Sequence, residues 1–321
     1  MEHLIQKLDE KFSLTTYDNQ NTQYNYKIFN DPKFLKLHTH NYKKVFEYFL
    51  LDNKSKVYKG NVTFAIKKDN KVVSPIKGSF GGFDFSNEIN FETKLKFIKS
   101  VLHNLYKQKP NSIEIILPPE IYNLENNSHQ LSILHNEDFH IHNIEINQYI
   151  LLEAYKNLNS IKSGNRNNVI KCSKKGFNLK RLKSKEYENA YKIILENMNR
   201  RNYKISMTWE SLSSMMSTFP SNFINFGLFD KEVMIAASIC IKISEDILYL
   251  FYWGENKNYS GLSLKSYISN KISEFCIENN FKIFDLGTSS NLSTPNIGLI
   301  NYKKSIGGYS CNKFKLIKLI N

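Results

Sequence analysis

Histidine is missing from the second half of this chain. All eight histidines lie between His3 and His142, so an acid or base in the second half has to be another residue type. Arginine is nearly absent too: Arg166, Arg181, Arg200 and Arg201 are the only four, confined to one short segment. Cysteine is limited to Cys172, Cys240, Cys276 and Cys311, with no close pair and no metal-ligand spacing. That pattern argues against a disulfide framework and fits reduced thiols in a cytoplasmic protein. No apolar run approaches the roughly 18 residues of a membrane span. The opening MEHLIQKLDEKF lacks the apolar core of a signal peptide. Also missing are a Gly-x-Ser-x-Gly elbow, a Walker loop, a paired-cysteine motif and a His-Glu-x-x-His helix, which speaks against the enzyme classes built on them.

What is present is a globular composition, 41% hydrophobic and 13% aromatic. At 321 residues the chain exceeds the usual size of one core, so two domains are expected, 1–150 and 151–321. The boundary falls near Glu145–Tyr155, where INQYILLEAY enters the Asn- and Lys-rich NLNSIKSGNRNN. The net charge is +14, and lysine supplies all but four of the 44 basic residues. A lysine-favouring coding bias, also visible in the abundant Asn and Ile, accounts for part of this. The remainder points to polyanionic partners: CoA, a nucleotide sugar, tRNA or an anionic envelope surface. Arginine makes bidentate contacts to phosphate and carboxylate that lysine does not, which singles out Arg166.

The order of elements repeats. In the first half a strand (Asn61–Ile66), a turn and a returning strand (Val72–Ile76) are followed by a helix (Phe91–Gln108) and a strand (Ser112–Leu117). In the second half the same order reads Ile224–Phe229, Val233–Ile241, Leu262–Glu278 and Lys282–Leu286. Between the last helix and the preceding strand (Ile247–Trp253), the loop Asn258–Ser263 carries one Gly and two hydroxyls. A loop that opens a helix presents free N–H groups to a phosphate, which nominates Tyr259, Ser260, Gly261 and Ser263. The strand that ends in Asp285-Leu286-Gly287 puts a carboxylate at the carboxyl edge of a sheet, where ligands of open α/β sheets bind. A loop is expected from there to Tyr302-Lys303. The helix Lys185–Met198 leads through Tyr203 to Trp209, two aromatics that read either as pocket lining or as core. Lys77–Phe83 contains Gly78, Gly81 and Gly82, which suit either close substrate approach or a tight bend. The pairs His38/His40 and His140/His142 have no carboxylate or cysteine at a confirming distance, so no metal site is expected.

The run FDLGTSSNLSTPNIGLINYKKSIGG resembles the C-terminal signature of the Fem-type branch of the GNAT acyltransferase superfamily, through Phe284, Asp285, Gly287, Gly298, Tyr302, Lys303 and Gly307. Arg166–Lys171 followed by Lys174–Phe177 is similar to that family's basic helix and turn. Ser74-Pro75 with Gly81-Gly82 resembles a segment that borders the acceptor site in Fem-like proteins. The resemblance implies a mixed-sheet α/β, tandem GNAT-like fold. It implies an N-acyltransferase that moves an acyl group from acyl-CoA to the amine of an amino sugar or cell-envelope precursor. Asp285, Lys303 and Tyr302 would then be catalytic. Tyr259, Ser260, Gly261 and Ser263 would hold the donor, and Arg166, Tyr203, Trp209, Gly81 and Gly82 the acceptor. The chain departs from the standard donor loop, Arg/Gln-x-x-Gly-x-Gly/Ala, which leaves room for aminoacyl-tRNA as donor, the substrate of Fem ligases. Two alternatives stay open: such an aminoacyl transferase, and a non-enzymatic basic module for nucleic acid or an anionic glycan. Membrane-surface association is compatible with either.

Overall fold

The computed structural model describes residues 4–16 and 26–320, without the side chain of Ser260. The chain divides into two compact units, residues 1–145 with 312–321, and residues 146–311.

The first unit opens with the antiparallel ladder β1 (Leu4–Lys7), β2 (Phe12–Thr15), β3 (Lys44–Asp52) and β4 (Tyr58–Ile66), with the short helix α1 (Pro32–Lys36) between β2 and β3. β5 (Lys71–Ser74) returns on β4, and the short β6 (Asp84–Phe85) pairs with β4 as well. The helix α2 (Phe91–Tyr106) then crosses over to β7 (Ser112–Ile116), which runs parallel to β5. Asn90 caps α2 by accepting from the Thr93 N–H. Its Phe97, Val101 and Leu105 recur at the spacing of one helix face and are fully buried. Each such side chain contributes roughly 1.5–3 kcal/mol of burial to a core shared with Phe64, Phe83 and Leu102. The helix α3 (Leu124–Asn136) follows, then the long β8 (His140–Leu151).

In the second unit α4 (Ser163–Lys174) leads to β9 (Asn178–Arg181), α5 (Tyr187–Arg200) and α6 (Trp209–Thr218). An antiparallel run β9–β10 (Phe226–Asp230)–β11 (Val233–Ser244)–β12 (Ile247–Glu255) comes next. The helix α7 (Leu264–Glu278) crosses over to β13 (Ile283–Thr288), parallel to β12 and antiparallel to the Asn147–Leu151 end of β8. In α7, Leu264, Ile268, Ile272 and Cys276 are fully buried at four-residue intervals against Cys240, Leu248 and Phe284. A tight hairpin of β14 (Ser290–Asn291) and β15 (Thr294–Pro295) precedes α8 (Ile297–Ser305). The last strand, β16 (Tyr309–Leu319), pairs through Lys315–Leu319 with β7. Residues 312–321 therefore group with the first unit, and not with the second as expected from the sequence.

Two other readings change. The segment that carries Tyr302 and Lys303 is a helix, started by Asn296 Oδ1 accepting from the Leu299 N–H, and not the loop expected from its glycines. The repeat is also one strand later than the hairpins suggested. In both units the strand that enters the crossover helix is the one paired in parallel with the next: β5 with β7, and β12 with β13. The counterpart of β4–β5 is thus β11–β12. The polar turn Asp230–Glu232 made the earlier hairpin the more visible one, but connectivity through a crossover helix defines the unit.

Candidate functional site

β12 and β13 run together only at their beginnings. Their pairing covers Ile247↔Ile283, Leu248↔Phe284 and Tyr249↔Asp285. Beyond that, β12 continues to Glu255 bonded to β11, and β13 continues to Thr288 bonded to β8. The two parallel strands thus separate into a wedge that opens toward their carboxyl ends, the edge at which ligands of α/β sheets bind.

Buried charge shapes the β13 wall. The ladder with β8 shifts register between Asp285 and Gly287, and Gly287 sits at φ +77. Asp285 Oδ1 accepts from the Gly287 N–H at 2.8 Å and from Asn147 Nδ2 at 2.7 Å. Lys303, on α8, donates to the Gly287 and Thr288 carbonyls at 2.8 and 2.9 Å. Backbone groups that lose a strand partner have to find another, and the Lys303 ammonium supplies it. Asp285 is 1% and Lys303 3% exposed. Burial lowers the Lys303 pKa to about 7, with Asp285 pulling it upward.

The β12 wall ends in a polar cluster. Glu255 is 5% exposed; its Oε1 pairs with Arg201 at 3.3 Å, and its Oε2 is buried with no hydrogen-bond partner among the described residues. The Glu255 carbonyl accepts from Asn197 Nδ2 at 3.2 Å and Arg200 at 3.5 Å. From the first turn of α7, Lys265 donates to Asn197 Oδ1 at 3.2 Å and lies over the Trp253 ring. Burial lowers the Lys265 pKa to about 8, helped by Arg201 and Arg200 and opposed by Glu255. Next to it, Ser266 Oγ donates to Asn165 Oδ1 at 2.9 Å and stands 3.5 Å from the Tyr302 hydroxyl. Burial raises the Tyr302 pKa, and Glu255 raises it further while Arg201 lowers it. A carboxylate oxygen with no hydrogen-bond partner among the described residues, a half-buried phenol whose pKa is raised and a lysine whose pKa is lowered to about 8 are thereby gathered where the strands part.

Of the residues chosen from sequence, Tyr302 belongs to this cluster, whereas Asp285 and Lys303 stand behind the β13 wall. Ser263 is the N-cap of α7 in the left-handed region, and its side chain does not cap the first-turn amides. Its Oγ is 3.2 Å from that of Ser266. Tyr259 donates to Asp230 Oδ2 at 3.0 Å and packs its ring edge on Phe177. Gly261 borders open space. Ser260 lies in the 3-10 turn Lys257–Leu262, its side chain outside the described residues. Arg166 turns back on its own helix start and donates to the Ile161 carbonyl at 3.1 and 3.3 Å. Its neighbour Asn165 is the residue that reaches Ser266. Tyr203 is 52% exposed and accepts from Asn296 Nδ2 at 3.3 Å. Trp209 packs against Tyr191 at the start of α6.

Gly81 and Gly82 lie in the first unit, at the matching position between β5 and β7. There the chain fills its own gap: the Gly81 N–H bonds to the Ile116 carbonyl at 2.7 Å and the Gly82 N–H to Ser74 Oγ at 3.0 Å. A Cβ on Gly81 would meet Ser74 Oγ at 2.5 Å. His38 is buried against Phe34, and burial lowers its pKa to about 4, while His140 and His142 are exposed. Among the described residues no group of three or more His, Cys, Asp or Glu is placed to hold a metal ion. No helix among them is long and apolar enough to cross a membrane.

Glu255, Lys265, Asn165 and Ser266 were missed. The rule that nominated Asp285, a carboxylate at the end of a parallel strand, applies equally to Trp253-Gly254-Glu255.

No protein-family model matches the chain, and no curated protein matches it. Among solved structures it is similar to FemX, at 11% identity over 90% of this chain and 91% of that one, with a TM-score of 0.69. It is similar to L-PGS from Bacillus licheniformis, at 12% identity over 84% and 83%, TM-score 0.58. A tandem GNAT protein from the clavulanic acid biosynthesis pathway aligns at 6% identity over 97% and 99%, TM-score 0.50. The fold is therefore Fem-type and tandem GNAT-like.

Proposed function

We propose that the second unit transfers an acyl group from a phosphate-bearing activated donor onto an amine. The observation that carries this reading is Glu255 Oε2, a buried carboxylate oxygen with no hydrogen-bond partner among the described residues, at the open end of the β12–β13 wedge. The first turn of α7 contributes no acidic residue and no side-chain cap, and it carries Lys265, which suits donor phosphate. The acyl carbonyl would lie in the wedge. The acceptor amine attacks it, Glu255 takes the amine proton, and the Tyr302 hydroxyl protonates the departing group, so one bond to the carbonyl carbon forms as another breaks. The proton on Glu255 returns to Tyr302 through solvent. Asp285 and Lys303 act as positioning residues that hold the Gly287–Thr288 wall.

Acyl-CoA is the first donor class and the amine of an amino sugar or envelope precursor the first acceptor class. Aminoacyl-tRNA is the second donor reading, favoured by the missing Gly-rich donor loop and by the exposed Arg200 and Arg201 beside the cluster. The test is mass-spectrometric product detection with acyl-CoAs and aminoacyl-tRNA against a panel of amines. A product formed by the wild type and at least a hundredfold more slowly by Glu255→Gln supports the mechanism. Equal rates in the two proteins contradict it.

A further inference from the structure

Beside the wedge mouth stand the two most exposed large hydrophobic side chains among the described residues. Leu292 is 73% and Ile297 72% exposed. Leu292 and Ser293 form the tip of the β14–β15 hairpin at φ +46 and +66, a turn that favours Asn and Gly and disfavours leucine. A local rule broken at an exposed tip marks a place where the side chain serves something other than folding. The hairpin is held in place: Ser290 Oγ accepts from the Ile146 N–H at 2.8 Å, and the Asn296 N–H donates to the Ser289 carbonyl at 2.9 Å. Asn296 in turn bonds Tyr203, which brings the exposed segment Arg200–Lys204 alongside. On α8, Ile297, Asn301 and Lys304 share one exposed face, opposite the buried Lys303.

The two chain segments named carry charge of one sign, and the partly exposed Glu145 precedes Ile146, which anchors the hairpin. No acidic residue occurs after Asp285, and none occurs between Glu196 and Glu210. Arg200, Lys204 and Lys304 lie in the same two segments as Tyr203, Leu292 and Ile297, with no carboxylate in either, and Arg201 of the first segment is paired with the buried Glu255. Aliphatic tips within a basic rim, together with an amphipathic tyrosine, match the boundary between headgroups and acyl chains of an anionic bilayer. Of the side chains named, only Tyr203 offers a stacking plane to nucleic acid bases, and leucine and isoleucine do not. Two aliphatic side chains also fall well short of the roughly 800 Å² per partner that a stable dimer buries.

We propose that the β14–β15 hairpin, the exposed face of α8 and the Arg200–Lys204 segment dock on an anionic phospholipid bilayer. This goes beyond the transfer reading and is measured with no donor present, so either can fail without the other. Full-length protein is floated with vesicles of phosphatidylcholine alone and of phosphatidylcholine mixed with phosphatidylglycerol. The wild type binds the mixed vesicles at low salt and is released by salt. Leu292→Ser with Ile297→Ser weakens binding about tenfold or more at unchanged melting temperature. Lys204→Gln with Lys304→Gln removes the preference for anionic vesicles. Equal binding to both vesicle types overturns the proposal, as does full binding by the serine double variant. Binding of uncharged tRNA with no binding to vesicles would overturn it by assigning the surface to RNA.

Discussion

Replacing Lys303 by methionine should change how the stability of the second unit depends on pH. The ammonium is buried and held at a pKa of about 7, whereas an unfolded lysine titrates near 10.4. Between those values the unfolded chain binds more protons than the folded one, so stability rises with pH from about 7 to about 10.4 and the charged form is the destabilising one. One pH step is worth about 1.36 kcal/mol per proton of difference, and the folded lysine is half titrated near 7. The wild type should therefore gain about 2 kcal/mol relative to Lys303→Met between about pH 7 and pH 9. Urea unfolding of both proteins across that range isolates the term, because all other groups cancel in the difference. A difference that stays flat with pH refutes the claim that Lys303 is a desolvated ammonium behind the β13 wall. The variant also leaves the Gly287 and Thr288 carbonyls without their donor, so at about pH 7 the two effects oppose each other and only the slope is diagnostic.

Glu255→Gln should keep stability within about 1 kcal/mol, since its ion pair is with a half-exposed arginine, while transfer falls at least roughly a hundredfold; urea midpoints and rates are read on one preparation. Gly82→Ala should cost roughly 1–3 kcal/mol, because φ is +76 and the new Cβ would stand 2.9 Å from Gln130 Oε1, as urea titration would report. Gly261→Ala borders open space and should shift stability by no more than about 0.5 kcal/mol. If donor phosphate passes that turn, KM for the donor rises while kcat holds.

Sequence conveyed the fold well where periodicity and turns speak. The helices read at Phe91–Gln108 and Leu262–Glu278, the β4–β5 hairpin and the strand read at Lys282–Leu286 were all legible. The tandem arrangement followed from the order of elements, although the polar turn at Asp230–Glu232 drew attention to a hairpin one strand early. Residues 312–321 joined the first unit unseen, because strand pairing across so many residues leaves no local trace. For the candidate site, neighbours in sequence do not all become neighbours in space. Asp285 accepts from the Gly287 N–H and Lys303 donates to the Gly287 and Thr288 carbonyls, so both hold one stretch of backbone. Arg166 was chosen for its scarcity and turned back on Ile161, while Arg200 and Arg201 reached the cluster. Glu255, Lys265 and Ser266 converge only because β12 ends where α7 begins.

Donor binding to the wedge is tested most directly by melting temperature at low salt, with acyl-CoA and aminoacyl-tRNA in parallel on the wild type and Lys265→Met. A donor at about 100 times its Kd adds roughly 2.7 kcal/mol to the stability of the native state. A clear rise with at least one donor, reduced in Lys265→Met, is the predicted result. No rise with either donor, or the same rise in both proteins, would contradict the placement of the donor at the start of α7.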